Sequence, residues 1–571
     1  MVQNILISVC IILIFATLIA YIFNKLKQPP LLAYIITGII LGPMVLNIIQ
    51  NTPDIRLLSE IGVAFLLFTV GINIDFKETK KFNKAIYLVP LINLIFGFLT
   101  FLICKNIFGI NWIQSLYLSC IISFSSTVVV AKILIDNNEI NSLHGKIAMI
   151  ILLVEDLIAV IIMPLLKDIT NFSIGVVGEV LLKVGILIVI AYILYKHIYP
   201  KLIKNLFGSQ EGFFLLSVAS AAIFILLSYL LNFSIAVGAF IGGLAISIFP
   251  YNINITHNIS GLRNLFSMIF FVSLGLQLTF NFSANYYILL LILFIMIFLF
   301  KPIVHFIQII WAGYGTRIAT KISLELTQVS EFSLILAMQG FTLNHITNSQ
   351  YSAIIVITAI SMLITPYIMK YDNKIYNLFK PLFNKLNLEN SKYFNRKINE
   401  YNNPPKQIKN HIILIGADTL GNAIQKVLAK YKEIPLIIVD YDPEKTKKLI
   451  NKKINTICGD INFEETINLL NIQTAKLAVI TIPQFETTIK FLKTAKKINP
   501  KIKIYARANT EKEALKLYEN GADFVIMPHI LETNLLLEKI TNLITKHEKE
   551  SQFSKEMYIN YLKEKIEEKN N

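Results

Sequence analysis

The chain has 571 residues, 54% of them hydrophobic, and a mean hydropathy of +0.60, which is too apolar for a soluble enzyme and too long for one domain. Its formal charge is +16, from 53 basic and 37 acidic residues. The cations lie in loops between apolar runs and in a Lys-rich C-terminal half, with no Arg-rich or aromatic-interleaved patch, which speaks against nucleic acid as partner. Cys10, Cys104, Cys120 and Cys458 have no CxxC spacing, so neither a disulfide framework nor a zinc site is indicated.

In chain order, Met1-Val2-Gln3-Asn4 lacks a positive leader, and the first apolar run is long enough to be a true span, so no cleavable signal is expected. Apolar stretches of about 20 residues, the length that crosses a ~30 Å hydrocarbon core, are expected thirteen times, at 3–24, 31–49, 57–74, 85–104, 112–134, 145–166, 174–199, 211–231, 233–249, 263–281, 286–310, 322–340 and 351–370. Alternate loops hold Lys25 and Lys27, then Lys77, Lys80, Lys81 and Lys84, then Lys132 and Lys146, Lys196, Lys201 and Lys204, and Arg317 and Lys321. The other loops hold little beyond Arg56, Lys105 and Lys167. The richer side is expected to be cytoplasmic, with the N-terminus outside. Residues 1–371 therefore read as a polytopic α-helical membrane domain, and 372–408, with Pro404-Pro405, as a cytoplasmic linker. From 409 to 541, short apolar strands alternate with helices, the pattern of a doubly wound, Rossmann-like α/β domain with a parallel sheet. Residues 542–571, rich in Lys and Glu, read as a charged helix or tail, and no second regulatory lobe is expected after 541.

Four stretches break the apolar pattern. Glu155 and Asp156 sit together inside the span 145–166; a carboxylate at such depth costs at least ~2.5–3.5 kcal/mol and normally faces a watery path or a counter-charge. The pair reads as an ion or proton site, the competing reading being a salt bridge that serves packing alone. Ser125, Ser126 and Thr127, with Ser123, place four hydroxyls within five residues of one span, which points to a locally broken helix offering oxygen ligands to a dehydrated cation. Lys301 precedes Pro302 within a span; proline frees a carbonyl and kinks helices, while a snorkelling lysine is the alternative. The segment Leu324 to Ser333 carries Glu325, Gln328 and Glu331, too polar for lipid; Glu325, Gln328 and Ser333 are expected to cluster by helical spacing. Hydroxyl-rich and acidic spans recurring in two halves suggest an inverted-repeat transporter.

In the C-terminal domain, Gly416-Ala417-Asp418-Thr419-Leu420-Gly421 follows a strand and opens a helix, where a dinucleotide fingerprint belongs. Only two of its three glycines are present, and Asp418 stands where the backbone should approach a pyrophosphate. Asp440, nineteen residues past Gly421, is placed for a ribose hydroxyl.

Six segments carry a resemblance: Leu32 to Pro43 (LAYIITGIILGP), Glu60 to Asp75 (EIGVAFLLFTVGINID), Ser125 to Ala131 (SSTVVVA), Val154 to Leu157 (VEDL), Arg263 to Gly275 (RNLFSMIFFVSLG) and Gln328 to Leu334 (QVSEFSL). The chain resembles the Kef-type branch of the monovalent cation:proton antiporter-2 superfamily, joined to an RCK/TrkA-N nucleotide-binding domain. The resemblance implies a homodimeric antiporter of the inner membrane, exchanging K⁺ or Na⁺ for H⁺. It implies that Asp156 is the ion-binding, proton-exchanging acid, that Glu155 pairs with Lys301, and that Ser125, Ser126, Thr127, Gln328 and Glu331 line the cation pathway. It further implies a regulatory cleft at Gly416, Asp418, Gly421, Asp440, Asp460 and Arg507 for NAD(H) or an adenine nucleotide. Two departures stand out: potassium-efflux members often carry an amide where this chain has Glu155, and Glu325 is an acid where relatives have a neutral residue. A ligand-gated channel is the alternative, but no TVGYG-type filter is present. A membrane oxidoreductase would need paired heme or quinone ligands, and His197, His257, His305 and His345 lack that spacing.

Overall fold

The computed structural model describes residues 5–528 except 27, 50–52, 74–83, 109, 138, 168, 170–173, 206–209, 232, 249–251, 279–283, 390, 392, 394, 406–407 and 429–434. The tail expected at 542–571, residues 529–541 of the expected C-terminal domain, and Lys27, Lys77, Lys80 and Lys81 lie outside the described residues. The chain divides into two compact units, Met1–Lys397 and Ile398–Asn571.

In the first unit the helices are α1 (Ile5–Lys25), α2 (Pro30–Leu41), α3 (Pro53–Ile72), α4 (Lys84–Phe108), α5 (Trp112–Ser123), α6 (Thr127–Asp136) and α7 (Leu143–Lys167). They continue as α8 (Ile174–Ile193), α9 (Tyr199–Asn205), α10 (Gln210–Leu230), α11 (Ile235–Ile246), α12 (Asn252–Leu276), α13 (Ala284–Ile295), α14 (Lys301–Ala312), α15 (Gly315–Glu325), α16 (Glu331–Thr342), α17 (Asn348–Lys370) and α18 (Asp372–Lys385). Among the described residues nine helical stretches are long and apolar enough to cross a membrane, and Pro30–Leu41, Ile86–Leu99 and Ile235–Ile246 are shorter apolar helices. With the interrupted α15–α16 segment these occupy the thirteen expected spans.

Among the described residues, two spans are interrupted by extended backbone. Between α5 and α6 the chain runs extended at Phe124 and Ser126, and Ser126 Oγ accepts from Val129 N at 3.3 Å to start the second half. Between α15 and α16 the break covers 326–330, and Ser330, also extended, accepts from Phe332 N at 3.1 Å. A serine that caps a helix start offers the backbone a local alternative to continuing the previous helix, which is why hydroxyl runs mark breaks. A single π turn, Met296–Phe300, joins α13 to α14 immediately before Lys301-Pro302; Pro302 has no N–H to give the preceding turn, and the ladder widens there.

The second unit holds a six-stranded sheet of β1 (Ile412–Ile415), β2 (Leu436–Asp440), β3 (Asn455–Cys458), β4 (Leu477–Ile480), β5 (Lys503–Arg507) and β6 (Phe524–Ile526), ordered β3-β2-β1-β4-β5-β6 with every pairing parallel. Strands β1, β2, β3 and β4 are almost continuously buried, as the centre of a sheet covered by helices on both faces requires. The order reverses between β1 and β4, and the carboxyl ends of the strands there are where such sheets bind ligands.

Candidate functional site

The site begins with the two breaks, because each leaves half-helix ends inside the membrane unit. Ser330 N donates to Phe124 O at 3.1 Å, Ser125 Oγ donates to Leu326 O at 3.0 Å, and Gln328 Nε2 donates to Ser126 O at 3.2 Å, so the two interrupted spans are sewn together at their breaks. Ser333 Oγ extends the seam by donating to Ile121 O at 2.7 Å. At helix ends the carbonyls lose their intrahelical donors and would be orphaned in a dry interior without such partners; Ser126 O also keeps Val130 N, at 3.3 Å.

Lys301 answers the same need. It is 6% exposed, and its ammonium donates to Phe124 O at 3.0 Å and Gln328 O at 2.9 Å, one carbonyl from each break. A cation at the carbonyl ends of two half-helices is favoured by their dipoles. Glu155 instead accepts from Ser125 N at 2.7 Å and Asn93 Nδ2 at 3.4 Å. Asp156 accepts from Thr127 Oγ1 at 2.7 Å, and Glu331, first residue of α16, accepts from Ser126 Oγ at 2.7 Å. Glu155, Asp156 and Glu331 are buried, at 0%, 3% and 1% exposure. Three carboxylates and one ammonium thus share one crossing, and a low-dielectric interior does not tolerate the excess negative charge without protons or a bound cation.

All the membrane residues singled out in the sequence meet here, with one exception. Glu325, Gln328 and Ser333 do not cluster: the chain leaves helical geometry at 326–330, so helical spacing does not apply across it. Glu325 Oε1 instead meets His144 Nδ1 at 2.8 Å, within a group where Lys321 Nζ lies 2.6 Å from Glu139 Oε1 and 3.9 Å from Asp372 Oδ2.

Sequence reasoning passed over Asn93 and Gln308, and weighed His305 only as a heme or quinone ligand. Asn93 Nδ2 lies 3.1 Å from His305 Nε2, and Gln308 Nε2 donates to Asn93 Oδ1 at 3.1 Å. The signal was present: Lys301, His305 and Gln308 stand at i, i+4 and i+7, one polar stripe on α14, and all three are buried.

In the second unit, Gly416 has φ +96°, and a Cβ on Gly421 would fall 1.9 Å from Gly416 O, so both glycines are dictated by the tight strand-to-helix turn. Asp440, ending β2, accepts from Ala417 N at 2.7 Å and Asp442 N at 2.8 Å. Burial lifts its carboxyl above the ordinary value, against the pull of those two N–H groups and of Lys445. Asp418 pairs with Lys445; burial works to lower that ammonium, but its bond to Asp418 and the charges of Asp440 and Asp442 hold it above its ordinary value. Asp460 Oδ1 accepts from Asn462 N at 2.8 Å. Arg507 Nε, at the end of β5, and Gln484 Oε1, in the turn after β4, are buried without a partner among the described residues, polar atoms that an ordered water or a polar ligand would satisfy.

Two interrupted helices crossing over buried carboxylates, with a doubly wound nucleotide-type domain appended, define a multi-pass secondary transporter rather than a pore. Residues 11–370 match the sodium/hydrogen exchanger transmembrane family, and the chain belongs to that family; residues 412–528 match the TrkA-N domain. The chain is 25% identical over 532 residues to a protein of Escherichia coli (strain K12) named as cation/proton antiporter YbaL, covering 90% of this chain and 93% of that one. It is 25% identical to K(+) efflux antiporter 5 of Arabidopsis thaliana over 64% of this chain and 66% of that one. Its fold is that of the sodium proton antiporter MjNhaP1 of Methanocaldococcus jannaschii, with a TM-score of 0.51 and 19% identity over 65% of this chain and 96% of that one. The protein is a membrane antiporter exchanging a monovalent cation for protons, and a channel is not favoured.

Proposed function

We propose that Asp156 is the group on which proton and cation compete, with Thr127, Ser126, Gln328 and Glu331 completing the cation's surroundings and Glu155 and Lys301 setting the charge of the crossing. The observation that carries this is the imbalance of Glu155, Asp156 and Glu331 against Lys301 within a buried seam of half-helix ends. An unneutralised site of that kind is costly to carry across the barrier, so only the cation-loaded or proton-loaded form moves. That rule gives exchange without leak. The cation is K⁺ or Na⁺, in keeping with the names of the relatives. The lysine-rich loops support a cytoplasmic C-terminal unit and an N-terminus outside, and the resemblance to Kef-type proteins supports a homodimer in the inner membrane.

The second unit regulates exchange by binding NAD(H) or an adenine nucleotide. Gly416 and Gly421 supply the close backbone approach, Asp440 the ribose contact, Asp460 the cleft wall, and Arg507 a cation for phosphate, its unpartnered Nε being the observation that favours an anionic ligand. Asp418 and Lys445, already paired, leave the phosphate face less negative than Asp418 alone.

The test is proton flux in proteoliposomes on addition of K⁺, Na⁺ or Li⁺. The native protein dissipates an imposed proton gradient with one of these ions, and Asp156→Asn does not. Cation-driven exchange that survives Asp156→Asn overturns the assignment.

A further inference from the structure

The last helix of the membrane unit, α18, leaves an apolar line uncovered by the described residues. Only Tyr371 separates it from α17, so its first turn begins where a span ends. One face is fixed to the unit. Phe383 stacks on Phe306 of α14 with 4.8 Å between ring centroids, the Arg317 guanidinium lies 4.4 Å over the Tyr376 ring, and Asp372 Oδ2 is 3.9 Å from Lys321 Nζ on α15. Beyond the helix, Lys397 N donates to Gly313 O at 3.0 Å, tying the returning chain to the turn between α14 and α15. Held in this way, α18 presents its other side outward. There Ile375, Leu378, Phe379, Leu382 and Leu386 recur at i, i+3, i+4, i+7 and i+11, one line along the helix. Ile375 is half-buried and the other four are exposed, Leu378 at 74%. On α14, Ile303, Ile307 and Trp311 are exposed on either side of Phe306, so the apolar surface of that span runs on to α18 through the Phe306–Phe383 stack.

The charges beside this line have one sign. Residues 370–389 hold four lysines, Lys370, Lys374, Lys380 and Lys385, and two acids, Asp372 and Glu389. Both acids are engaged: Asp372 is buried beside Lys321, and Glu389 Oε1 accepts from Tyr376 Oη at 2.6 Å. Lys370, Lys374 and Lys385 are exposed, and Lys374 and Lys385, four and seven residues from Leu378, flank the apolar line. A helix of this kind lies in the plane of the membrane interface, its apolar side among the upper acyl chains and its ammonium groups at the level of the phosphates. We propose that the outward face of α18 is a docking surface for the leaflet from which it emerges, with Lys370, Lys374 and Lys385 binding the headgroups of anionic phospholipids. A second copy docked here by two-fold symmetry would set the same lysines against each other, and like charges across an interface are costly. An anionic leaflet supplies the opposite charge. The inference draws on neither the exchange site nor the nucleotide cleft.

The experiment replaces the chain's two tryptophans, Trp112 and Trp311, by phenylalanine and places a single reporter on the apolar line, Leu378→Trp, or on the exposed polar side, Asn384→Trp. The full-length proteins are reconstituted in phosphatidylcholine vesicles that contain acyl-brominated phosphatidylcholine or acyl-brominated phosphatidylglycerol, whose bromines quench tryptophan on contact. Emission from the Leu378→Trp reporter falls by roughly half or more, and that from Asn384→Trp much less, because only the first sits among acyl chains. The phosphatidylglycerol quencher acts at the lower mole fraction, by about fivefold for each lysine at the surface, and Lys374→Gln with Lys385→Gln removes most of that preference. An unquenched Leu378→Trp reporter means that protein, a second copy or the C-terminal unit, covers the line, and overturns the proposal. Equal quenching by the two lipids with the lysines intact overturns it as well, since the headgroup charge is then not recognised. Should the tryptophan-replaced chains fail to fold, amide hydrogen exchange over 371–386 in the native protein decides: slower exchange on adding phosphatidylglycerol to phosphatidylcholine vesicles supports the surface, and an unchanged rate overturns it.

Discussion

Lys301 donates to Phe124 O and Gln328 O, so its side chain closes both breaks at once. A methionine of similar length fills the space but leaves Gln328 O without its donor, while Phe124 O keeps Ser330 N, and an unmet buried acceptor costs about 1–3 kcal/mol. Lys301→Met is therefore expected to lower the melting temperature of the detergent-purified protein by several degrees, in addition to its effect on exchange. An unchanged melting temperature means the ammonium is not needed to hold the crossing. The sequence singled out Lys301 from its depth and from Pro302, and Glu155 and Asp156 from theirs, because a charge among apolar residues is conspicuous. Asn93 was not conspicuous: a lone amide in an asparagine-rich chain carries no signal until the helix opposite is known.

At the scale of elements, the spans were legible because hydrocarbon thickness demands about 20 apolar residues, and the α5–α6 break because four hydroxyls compete with helix bonding. Periodicity failed where it was carried across the second break, at Glu325, Gln328 and Ser333. How closely helices approach was also hidden. A Cβ on Gly275 of α12 would lie 2.2 Å from Ile35 O, and one on Gly38 of α2 would lie 2.1 Å from Val272 O, so these helices meet backbone to backbone. Gly275→Ala must push α2 and α12 apart, at about 1–3 kcal/mol, and is expected to reduce the yield of folded protein in size-exclusion profiles. Gly261→Ala, on the same helix with nothing within 4 Å of its Cβ, is the matched control; equal yields for the two would show that the close approach is unimportant. In the sheet, Asp523 Oδ2 accepts from Ile504 N at 2.7 Å and Lys496 Nζ at 3.0 Å. Its slight burial works to raise the carboxyl, but these bonds win and hold it below its ordinary value. A depressed acid stabilises the fold above its unfolded value, about 3.9, and that support disappears as pH falls through the folded value. Amide protection at Ile504 in the full-length protein should therefore weaken below about pH 4, and Asp523→Asn should remove the acid-dependent part; the same pH dependence in the variant would rule Asp523 out as its source.

The molecule as a whole joins an antiporter unit to a doubly wound TrkA-N domain, proposed above to bind a nucleotide, and the two can influence each other only through a coupling free energy. Such coupling is reciprocal: if a nucleotide changes the affinity for the cation by some factor, the cation changes the affinity for the nucleotide by the same factor, typically about 5–150-fold. The regulatory reading therefore makes a demand on binding alone, independent of turnover. Titration of the purified full-length protein with NADH, NAD⁺, AMP, ADP and ATP, with and without saturating transported cation, should find one ligand whose dissociation constant shifts with the cation. Arg507→Ala should weaken that ligand, since its buried Nε has no partner among the described residues. Asp156→Asn should abolish the cation-dependent shift while the nucleotide still binds, because it removes the acid proposed to hold the cation and leaves the Gly416–Asp440 turn intact. A nucleotide that binds tightly with the same constant whether or not the cation is present would mean that the second unit does not sense the loaded state of the transporter, and regulation by occupancy of the cleft would have to be abandoned.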